Sequence, residues 1–313
     1  MTQSPECANH ARYSELAGFG TEYRDLWWNR DFLELMARRW GLDDRRTLLD
    51  VGCGAGHWSL TMLELMAEEA TLTGVDAEPN FLSRARERAG KRSLSDRCEF
   101  EVGCAEALPF PDASFDVVTC QTVLIHVADP SVAIVEMVRV LRPGGILITV
   151  EPDNLAGNLA LLGTSLATSD EDTLAIIAML QTCQRGKRAL GEGDERVGHR
   201  LVELFDRAGL TGLRCHTNDR CMHLIPPYDD PRMQVAIDQE LVWAEQGVAI
   251  IGGTEHDSRR LHKAGGGSPG EFALGWAAVQ RWLAGFVTGI GTGGFCAGRG
   301  FVMYIASGEK PEA

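Results

Sequence analysis

The chain lacks the features that mark a secreted, membrane-spanning or disulfide-stapled protein. Residues 1–14 are polar, without the apolar segment of a signal peptide, and no apolar run is long enough to cross a bilayer. The 9 cysteines are scattered, with no C-x-x-C pair, which argues against a disulfide framework and a thiolate zinc site. We therefore expect a soluble protein of the reducing cytoplasm, without a metal and without a membrane partner.

Basic clusters are also scarce, since the formal net charge is −14 over 313 residues. A nucleic-acid-binding face needs Lys and Arg to displace counterions from phosphates. The densest basic stretch, residues 84–92, is interleaved with Glu87 at helical spacing, which is typical of a solvated helix face. The composition therefore favours a small, uncharged or cationic partner over DNA or RNA.

What the sequence does have is a regular alternation of short apolar runs and helical segments. Five runs are predicted to be buried strands, at residues 47–51, 71–75, 98–102, 115–120 and 146–150. A sixth strand is predicted within 213–224. The helical segments include one over 11–41 that stops at Gly41 and one over 131–141 that residues 143–145 end, and a flexible run at 263–267 separates two later ones. Such alternation predicts an α/β fold, with a mostly parallel sheet and helices on both faces. Right-handed crossovers then bring the carboxyl ends of the strands to one edge, where ligands bind in such sheets.

The first predicted strand contains Asp50 and runs into a glycine-rich turn, Gly52-Cys53-Gly54-Ala55-Gly56. Glycine is required where the backbone turns sharply or approaches a ligand closely, and free N–H groups at the next helix start suit an anion. The G-x-G-x-G spacing differs from the dinucleotide fingerprint G-x-G-x-x-G. Asp76 ends the second strand 24 residues after Gly52 (76 − 52). A carboxylate there can accept both hydroxyls of an adenosine ribose.

Four ordered blocks extend this pattern, at residues 49–56, 74–82, 103–130 and 139–152. They resemble the class I S-adenosylmethionine-dependent methyltransferases, in particular their small-molecule (type 11-like) branch. The resemblance covers roughly residues 48–152. It implies a Rossmann-like sheet of seven strands, whose last strand, predicted at 301–306, is antiparallel and lies between the fifth and sixth. It also implies S-adenosylmethionine as cofactor and methyl transfer to a small-molecule acceptor.

The resemblance further implies which residues hold the cofactor. Gly52, Gly54 and Gly56 would line its methionine end, and Asp76 would bind its ribose. The full expected set is Asp50, Gly52, Cys53, Gly54, Gly56, Asp76, Ala77, Cys104, Ala105, Glu106 and Gln121. Cys104 stands where the family usually has an aspartate that binds the adenine amino group, and a thiol is a weak acceptor. Glu106 or a backbone carbonyl could substitute, or the affinity could be lower.

His126, a few residues after the fourth strand, is the candidate general base. An acceptor hydroxyl would need such a base, whereas a neutral amine or a thiolate would not; packing within its loop is the alternative role. Among the other polar residues, we expect His57 to shape the site, and His216 and His223 to be structural. We expect Glu151 to bind a polar acceptor or to lie in a solvated turn.

A single domain is predicted over residues 1–313, and its parts follow from the pattern. They are a helical lid at 1–45, the cofactor-binding core at 46–153, two insertions at 154–192 and 229–285, and the rest of the core at 195–224 and 296–308. The lid could wall an acceptor pocket with Tyr13, Tyr23, Arg24, Trp27 and Trp28, but their helical spacing also fits plain packing, which is the preferred interpretation. The second insertion, with Trp243, Trp276 and Trp282, is expected to enclose the substrate. The second insertion could instead form the contact of a homodimer.

Two other function classes stay open. A protein of this fold could bind the cofactor without methylating, or could use it for cyclisation or elimination, since fold does not determine function. Nucleobase methylation is disfavoured, because residues 119–123 lack an Asn/Asp-Pro-Pro-Tyr motif and the similar segment 225–228 follows the sixth strand. O- or N-methylation in natural-product tailoring is the expected context.

Overall fold

The strands of the protein form one large sheet and one small one. The computed structural model describes residues 22–162, 168–248, 253–299 and 302–312. Its strands are β1 (Thr47–Val51), β2 (Thr71–Asp76), β3 (Cys98–Val102), β4 (Phe115–Gln121), β5 (Leu141–Pro152), β6 (Thr211–Thr217), β7 (Met222–Leu224), β8 (Ala297–Arg299) and β9 (Met303–Glu309). The large sheet has the order β3-β2-β1-β4-β5-β9-β6. Strands β1 to β5 pair in parallel, and β9 pairs antiparallel with β5 and β6. The predicted sheet, with its antiparallel last strand between the fifth and sixth, is confirmed.

Helices cover both faces of the large sheet. They are α1 (Arg30–Trp40), α2 (His57–Leu63), α3 (Pro79–Lys91), α4 (Pro130–Val140), α5 (Asn154–Leu162), α6 (Asp170–Ala189), α7 (Leu201–Arg207), α8 (Pro231–Glu245), α9 (Glu255–Ala264) and α10 (Pro269–Gly291). Leu48 belongs to a hydrophobic cluster with residues of α1, α2 and α3, whereas Leu49 belongs to one with residues of α4 and α7. Successive side chains of a strand point to opposite sides, so the two clusters share the sheet as a common wall.

The helices that follow β2 and β4 have strong start signals in the sequence. The side chains of Glu78 and Asp129 accept the backbone N–H groups two residues further on, and a proline occupies the first helical position in each case. Such capping satisfies N–H groups that the helix itself leaves unpaired. Both helices therefore begin at the carboxyl edge of the sheet, beside the predicted ligand site.

Two predicted strands differ from the observed ones. The fifth was expected at 146–150 after a helix ended by residues 143–145, but β5 begins at Leu141 and contains those residues. A register shift between Phe115 and Val117 of the paired strand β4 accommodates them. The sixth strand was expected over 213–224, but β6 ends at Thr217. Strand β7 then pairs with β8 in a separate two-stranded sheet.

The predicted N-terminal helix over 11–41 is also interrupted. A 3-10 helix, Glu22–Trp27, precedes α1, and Asn29 between them has extended backbone angles, with φ −89° and ψ 134°. We call residues 22–27 the strap. The predicted end at Gly41 is confirmed, because this glycine caps α1 with a φ of 63°. Residues 11–21 lie outside the described part of the chain.

The insertions supply a third hydrophobic cluster, built from α6, α8 and α10, which we call the lid cluster. Gly186 of α6 and Gly265 after α9 bring these two helices together. A Cβ atom on Gly186 would overlap the carbonyl oxygen of Leu261, and one on Gly265 would overlap that of Thr182. The prediction that residues 263–267 form a flexible separator is therefore wrong, because Gly265, the first glycine of this run, is needed for close helix packing.

Strand β3 forms one edge of the large sheet. It is only 5 residues long, and it carries the exposed side chains of Glu99 and Glu101. The edge is therefore short and acidic.

Candidate functional site

The glycine turn after β1 has a backbone that side chains would obstruct. Gly52, Gly54 and Gly56 have φ angles of 68°, 53° and 80°, a region that L-residues rarely adopt. A Cβ on Gly52 would overlap the side chain of Val123, whereas one on Gly54 would meet no atom within 4 Å. Gly52 is therefore needed for packing, and Gly54 leaves open space where a ligand can approach the backbone.

Asp76 ends β2 and faces this turn. The backbone N–H of Gly54 donates to its Oδ2 at 2.8 Å, and that of Glu78 donates to its Oδ1 at 2.9 Å. These bonds hold the half-buried carboxylate beside the open side of the turn. Each carboxylate oxygen can accept more than one hydrogen bond, so the group can also accept the two hydroxyls of a ribose. The predicted pairing of the glycine turn with Asp76 is present in the structure.

Two residues of the expected cofactor set, Asp50 and Cys53, have buried side chains next to the glycine turn. Asp50 is 1% exposed and accepts a hydrogen bond from the Ser59 hydroxyl. Burial raises the pKa of Asp50 to about 7. The Cys53 sulfur lies close to Gly74, and burial raises the pKa of this thiol well above its ordinary value. These side chains are placed to support the turn from within the protein.

The expected adenine side follows β2 and β3. Ala77, Ala105 and Glu106 are all half-buried there. Cys104 is disulfide-bonded, whereas the other cysteines of the described ranges are free. The expectation of reduced cysteines is therefore wrong at this position, because one bond between scattered cysteines leaves no spacing signature in a sequence. A disulfide sulfur is at most a weak hydrogen-bond acceptor, so Cys104 does not supply the adenine contact that the resemblance implies for an aspartate at this position.

At the end of β4, a cation approaches the site from the strap. Gln121 is 6% exposed, and its Nε2 has no hydrogen-bond partner among the described residues. Thr122 has a φ of 56°, a strained conformation for a β-branched residue. Arg24 Nη1 donates to Thr122 Oγ1 at 3.4 Å, and its guanidinium lies 4.7 Å from the centre of the Trp27 ring. Burial lowers the pKa of Arg24 to about 10, so it remains charged at neutral pH.

Glu151 at the end of β5 is a buried loop anchor. It is 0% exposed, and its carboxylate accepts the N–H groups of Val123, Leu124 and Ile125 at 2.9, 2.9 and 3.2 Å. Burial raises the pKa of Glu151 to about 7, although the three N–H groups oppose that change. Both expectations for this residue, acceptor binding and a solvated turn, are therefore wrong. The strand pattern predicted that Glu151 lies at the end of the fifth strand, but not that the loop after β4 folds over its carboxylate.

The loop that Glu151 holds carries His126. Residues Leu124–His126 form a short 3-10 helix, and His126 itself is half-buried. Gly193 packs on this helix so closely that a Cβ atom there would overlap the carbonyl oxygen of Ile125. The position of His126 at the carboxyl edge is thus fixed from two sides. Its role as a base stays a prediction.

The predicted aromatic wall is only partly assembled. Tyr23 of the strap meets Trp243 of α8 edge to face, with ring centres 5.5 Å apart. Trp28 packs on Trp58 at 5.3 Å. Trp276 and Trp282 are buried in the lid cluster, which gives them a packing role, and Tyr13 lies outside the described residues. Of the other histidines, His216 is half-buried on β6 and His223 is exposed on β7.

The described part of the chain shows neither a metal-binding cluster nor a membrane-spanning helix. Within the described ranges, no group of three or more His, Cys, Asp or Glu side chains is arranged to hold a metal ion. None of the helices seen there combines the length and the apolar character required to cross a membrane.

Comparison with known proteins places this site in context. A family model described as a methyltransferase domain matches residues 42–208. A demethylmenaquinone methyltransferase of Deinococcus radiodurans is 43% identical over 106 residues, which are 34% of this chain and 43% of that protein. An enzyme of the same name from Listeria welshimeri is 38% identical over 124 residues, 40% of this chain and 50% of its own length. The chain thus spans half or less of these relatives.

A solved structure agrees with the fold. A methyltransferase candidate from Bacillus halodurans C-125 superposes with a TM-score of 0.51 at 17% identity, over 90% of this chain and 100% of that one. At this level of identity the likeness concerns the fold alone.

Proposed function

The chain belongs to the methyltransferase domain family, and from that premise we propose that it binds S-adenosylmethionine and transfers its methyl group to a small-molecule acceptor. The observation that carries the proposal is the open glycine turn at Gly54, hydrogen-bonded to the carboxylate of Asp76. A backbone free of side chains beside a ribose-binding carboxylate fits an adenosyl amino acid.

The residues at the site suit the parts of this cofactor. We place the ribose on Asp76 and the carboxylate of the methionine portion near Arg24, whose charge and planar donor set match a carboxylate. Gln121 would face the methionine chain, and the half-buried segment around Ala105 and Glu106 would border the adenine. Asp50 and Cys53, whose side chains are buried, would support the turn.

The cofactor supplies an electrophilic methyl group. The protein has to align the acceptor with that group and exclude water. His126 would take the proton of an acceptor hydroxyl, and Glu151 would keep His126 in position through the loop. An amine acceptor would not need this base.

We propose that the acceptor meets an N–H donor in aromatic surroundings. Trp243 Nε1 is buried without a hydrogen-bond partner among the described residues, beside the ring of Tyr23. A buried donor of this kind favours a ligand that brings an oxygen atom. We therefore propose an uncharged or cationic acceptor with a hydroxyl or carbonyl oxygen. The names of the curated relatives refer to one such molecule, demethylmenaquinone.

Calorimetric titration with S-adenosylhomocysteine tests cofactor binding. Wild-type protein should bind it, and Asp76→Ala should bind at least about tenfold more weakly, because hydrogen bonds to a charged group contribute about 1.5–3 kcal/mol. Glu101→Gln, which removes an exposed carboxylate from the neighbouring strand, is the matched control and should bind like wild type. Equal affinity of all three proteins would contradict the placement of the ribose.

Turnover tests the reaction itself. The full chain is incubated with methyl-labelled S-adenosylmethionine and a panel of hydroxylated, amino and quinone-type metabolites, and S-adenosylhomocysteine is measured. Binding without any product across the panel and native extracts would indicate a binding protein. Release of methylthioadenosine would indicate cyclisation or elimination instead.

A further inference from the structure

Three side chains connect the strap to the glycine turn. Asp25 of the strap lies 2.7 Å from His57 Nδ1 through its Oδ1, and 3.2 Å from Arg88 Nη1 through its Oδ2. Arg88 Nη2 lies 2.9 Å from His57 Nε2, and its Nε donates to the carbonyl oxygen of Ala55 at 3.2 Å. The strap, the start of α2, α3 and the glycine turn therefore meet in one network.

The network defines the protonation state of His57. An arginine guanidinium can only donate hydrogen bonds, so Nε2 must offer its lone pair to Arg88. The carboxylate of Asp25 can only accept, so Nδ1 must carry the proton. His57 is therefore the neutral imidazole with the proton on Nδ1. A second proton on Nε2 would point an N–H group at a cationic donor.

We propose that Asp25, His57 and Arg88 form a clamp that holds the strap against the glycine turn, and that protonation of His57 opens it. This inference rests on the proposed function, because the strap also carries Arg24 to Thr122 at the end of β4. The three clamp residues are positioning residues. They would act on the cofactor through Arg24 and through the backbone of the turn.

The charges around His57 come from three directions. Asp25 and Arg24 approach from the strap, Arg88 from α3 and Arg92 from the position after it, and Glu64 follows α2. Arg92 lies 3.6 Å from Asp25 and 3.3 Å from Glu64, and Glu64 also lies 3.1 Å from Arg30. Burial lowers the pKa of His57 below its ordinary 6.5, Asp25 opposes this change, and Arg88 and Arg24 reinforce it.

These shifts set the pH range in which the clamp weakens. A released His57 would take a proton near pH 6.5, while the clamped one resists protonation to a lower pH. The clamp is therefore fully stable above pH 6.5 and loses stability as the pH falls below it. If clamped His57 stays neutral, the closed form loses about a factor of ten against the open form by pH 5.5.

Hydrogen–deuterium exchange of the full chain without ligand tests the clamp. We expect the protection factor of the peptide covering residues 22–28 to be about tenfold lower at pH 5.5 than at pH 7.5, after correction for the intrinsic exchange rate. His57→Asn keeps an N–H group toward Asp25 and cannot titrate, so its protection should not change with pH. His256→Asn, at an exposed position on α9, is the control and should behave like wild type.

Two further measurements keep the test decisive. If His57→Asn does not fold, His57→Gln replaces it, because its amide oxygen can accept from Arg88. Nuclear magnetic resonance of wild-type His57 should show the Nδ1-protonated neutral form at pH 7. A charged His57 at that pH, or protection of residues 22–28 independent of pH in the wild type, would overturn the proposal.

Binding of S-adenosylhomocysteine separates this inference from the proposed function. If the clamp and the function are both right, affinity falls below pH 6.5 in the wild type and stays level in His57→Asn. If the strap opens at low pH but the protein binds no S-adenosylhomocysteine, the clamp stands and the proposed function fails. Tight binding with identical pH profiles for both proteins means that the function stands and the clamp does not position the cofactor.

Discussion

At the scale of single residues, the site depends on charged groups that lie beneath it. Asp76 and the glycine turn could be predicted from the sequence, because strand ends and glycine spacing are local patterns. Arg24 and Glu151 could not be placed, because their partners are distant in the chain: Arg24 reaches Thr122 98 positions away, and Glu151 holds a loop 26 to 28 positions before it. Such contacts arise only when the elements pack.

Glu151→Gln tests the anchoring of the His126 loop. Its amide oxygen can still accept two backbone N–H groups, but its NH₂ group must then face the N–H of Ile125. We expect the free energy of unfolding to fall by about 1–3 kcal/mol, the usual loss for a buried donor left without a partner. Urea denaturation at pH 7 measures it.

Glu203→Gln is the control for that substitution. Glu203 forms an exposed i, i+4 ion pair with Arg207, and such pairs contribute little to stability. Equal stabilities of the two variants would mean that the Glu151 carboxylate does not hold the loop.

At the scale of elements, the positions of the helices and strands could be predicted from hydrophobic periodicity. The ends of the strands could not, because they depend on pairing with other strands. The start of β5 was predicted too late, because a proline and two glycines normally end an element. Here pairing with β4 and β9 keeps them in the sheet. The break after β6 was missed because alternation continues through residues 213–224, although β7 finds its partner in β8.

The close contact between α6 and α9 predicts that a glycine-to-alanine substitution destabilises the protein at Gly186 but not at Gly90. Gly186→Ala should destabilise the protein by about 1–3 kcal/mol, because the added methyl group overlaps the backbone of Leu261 and forces the helices apart. Gly90→Ala in α3 is the control, because its Cβ atom would meet Ser95 at an ordinary 3.7 Å. Helix propensity should make that variant as stable as wild type or more so. Thermal unfolding compares them, and a Gly186→Ala protein at least as stable as Gly90→Ala would contradict the packing.

At the scale of the whole molecule, two buried acids make global stability depend on pH. The pKa of Asp50 and that of Glu151 are both about 7, against ordinary values of 3.8 and 4.5. The folded protein therefore holds these protons at pH values where the unfolded chain has released them. Each group's contribution is largest at low pH and is lost as the pH rises toward 7.

Asp50→Asn isolates one of these contributions. Asparagine does not ionise, so the stability of the variant relative to wild type should rise between pH 5 and pH 7.5, by about 1–3 kcal/mol. Urea unfolding of both proteins at the two pH values gives this double difference. A relative stability that stays constant, or falls, would show that Asp50 is not held in its protonated form.

The edge strand β3 has a consequence for how copies of this protein coexist in a crowded solution. An open strand offers unpaired backbone groups that can recruit another chain and seed fibrous aggregates. Glu99 and Glu101 set like charges against one another if two such edges meet, and the 5-residue length leaves few bonds to gain. These two features protect the protein from aggregation at this edge of the sheet, so replacing the two glutamates with valine should promote fibre growth there.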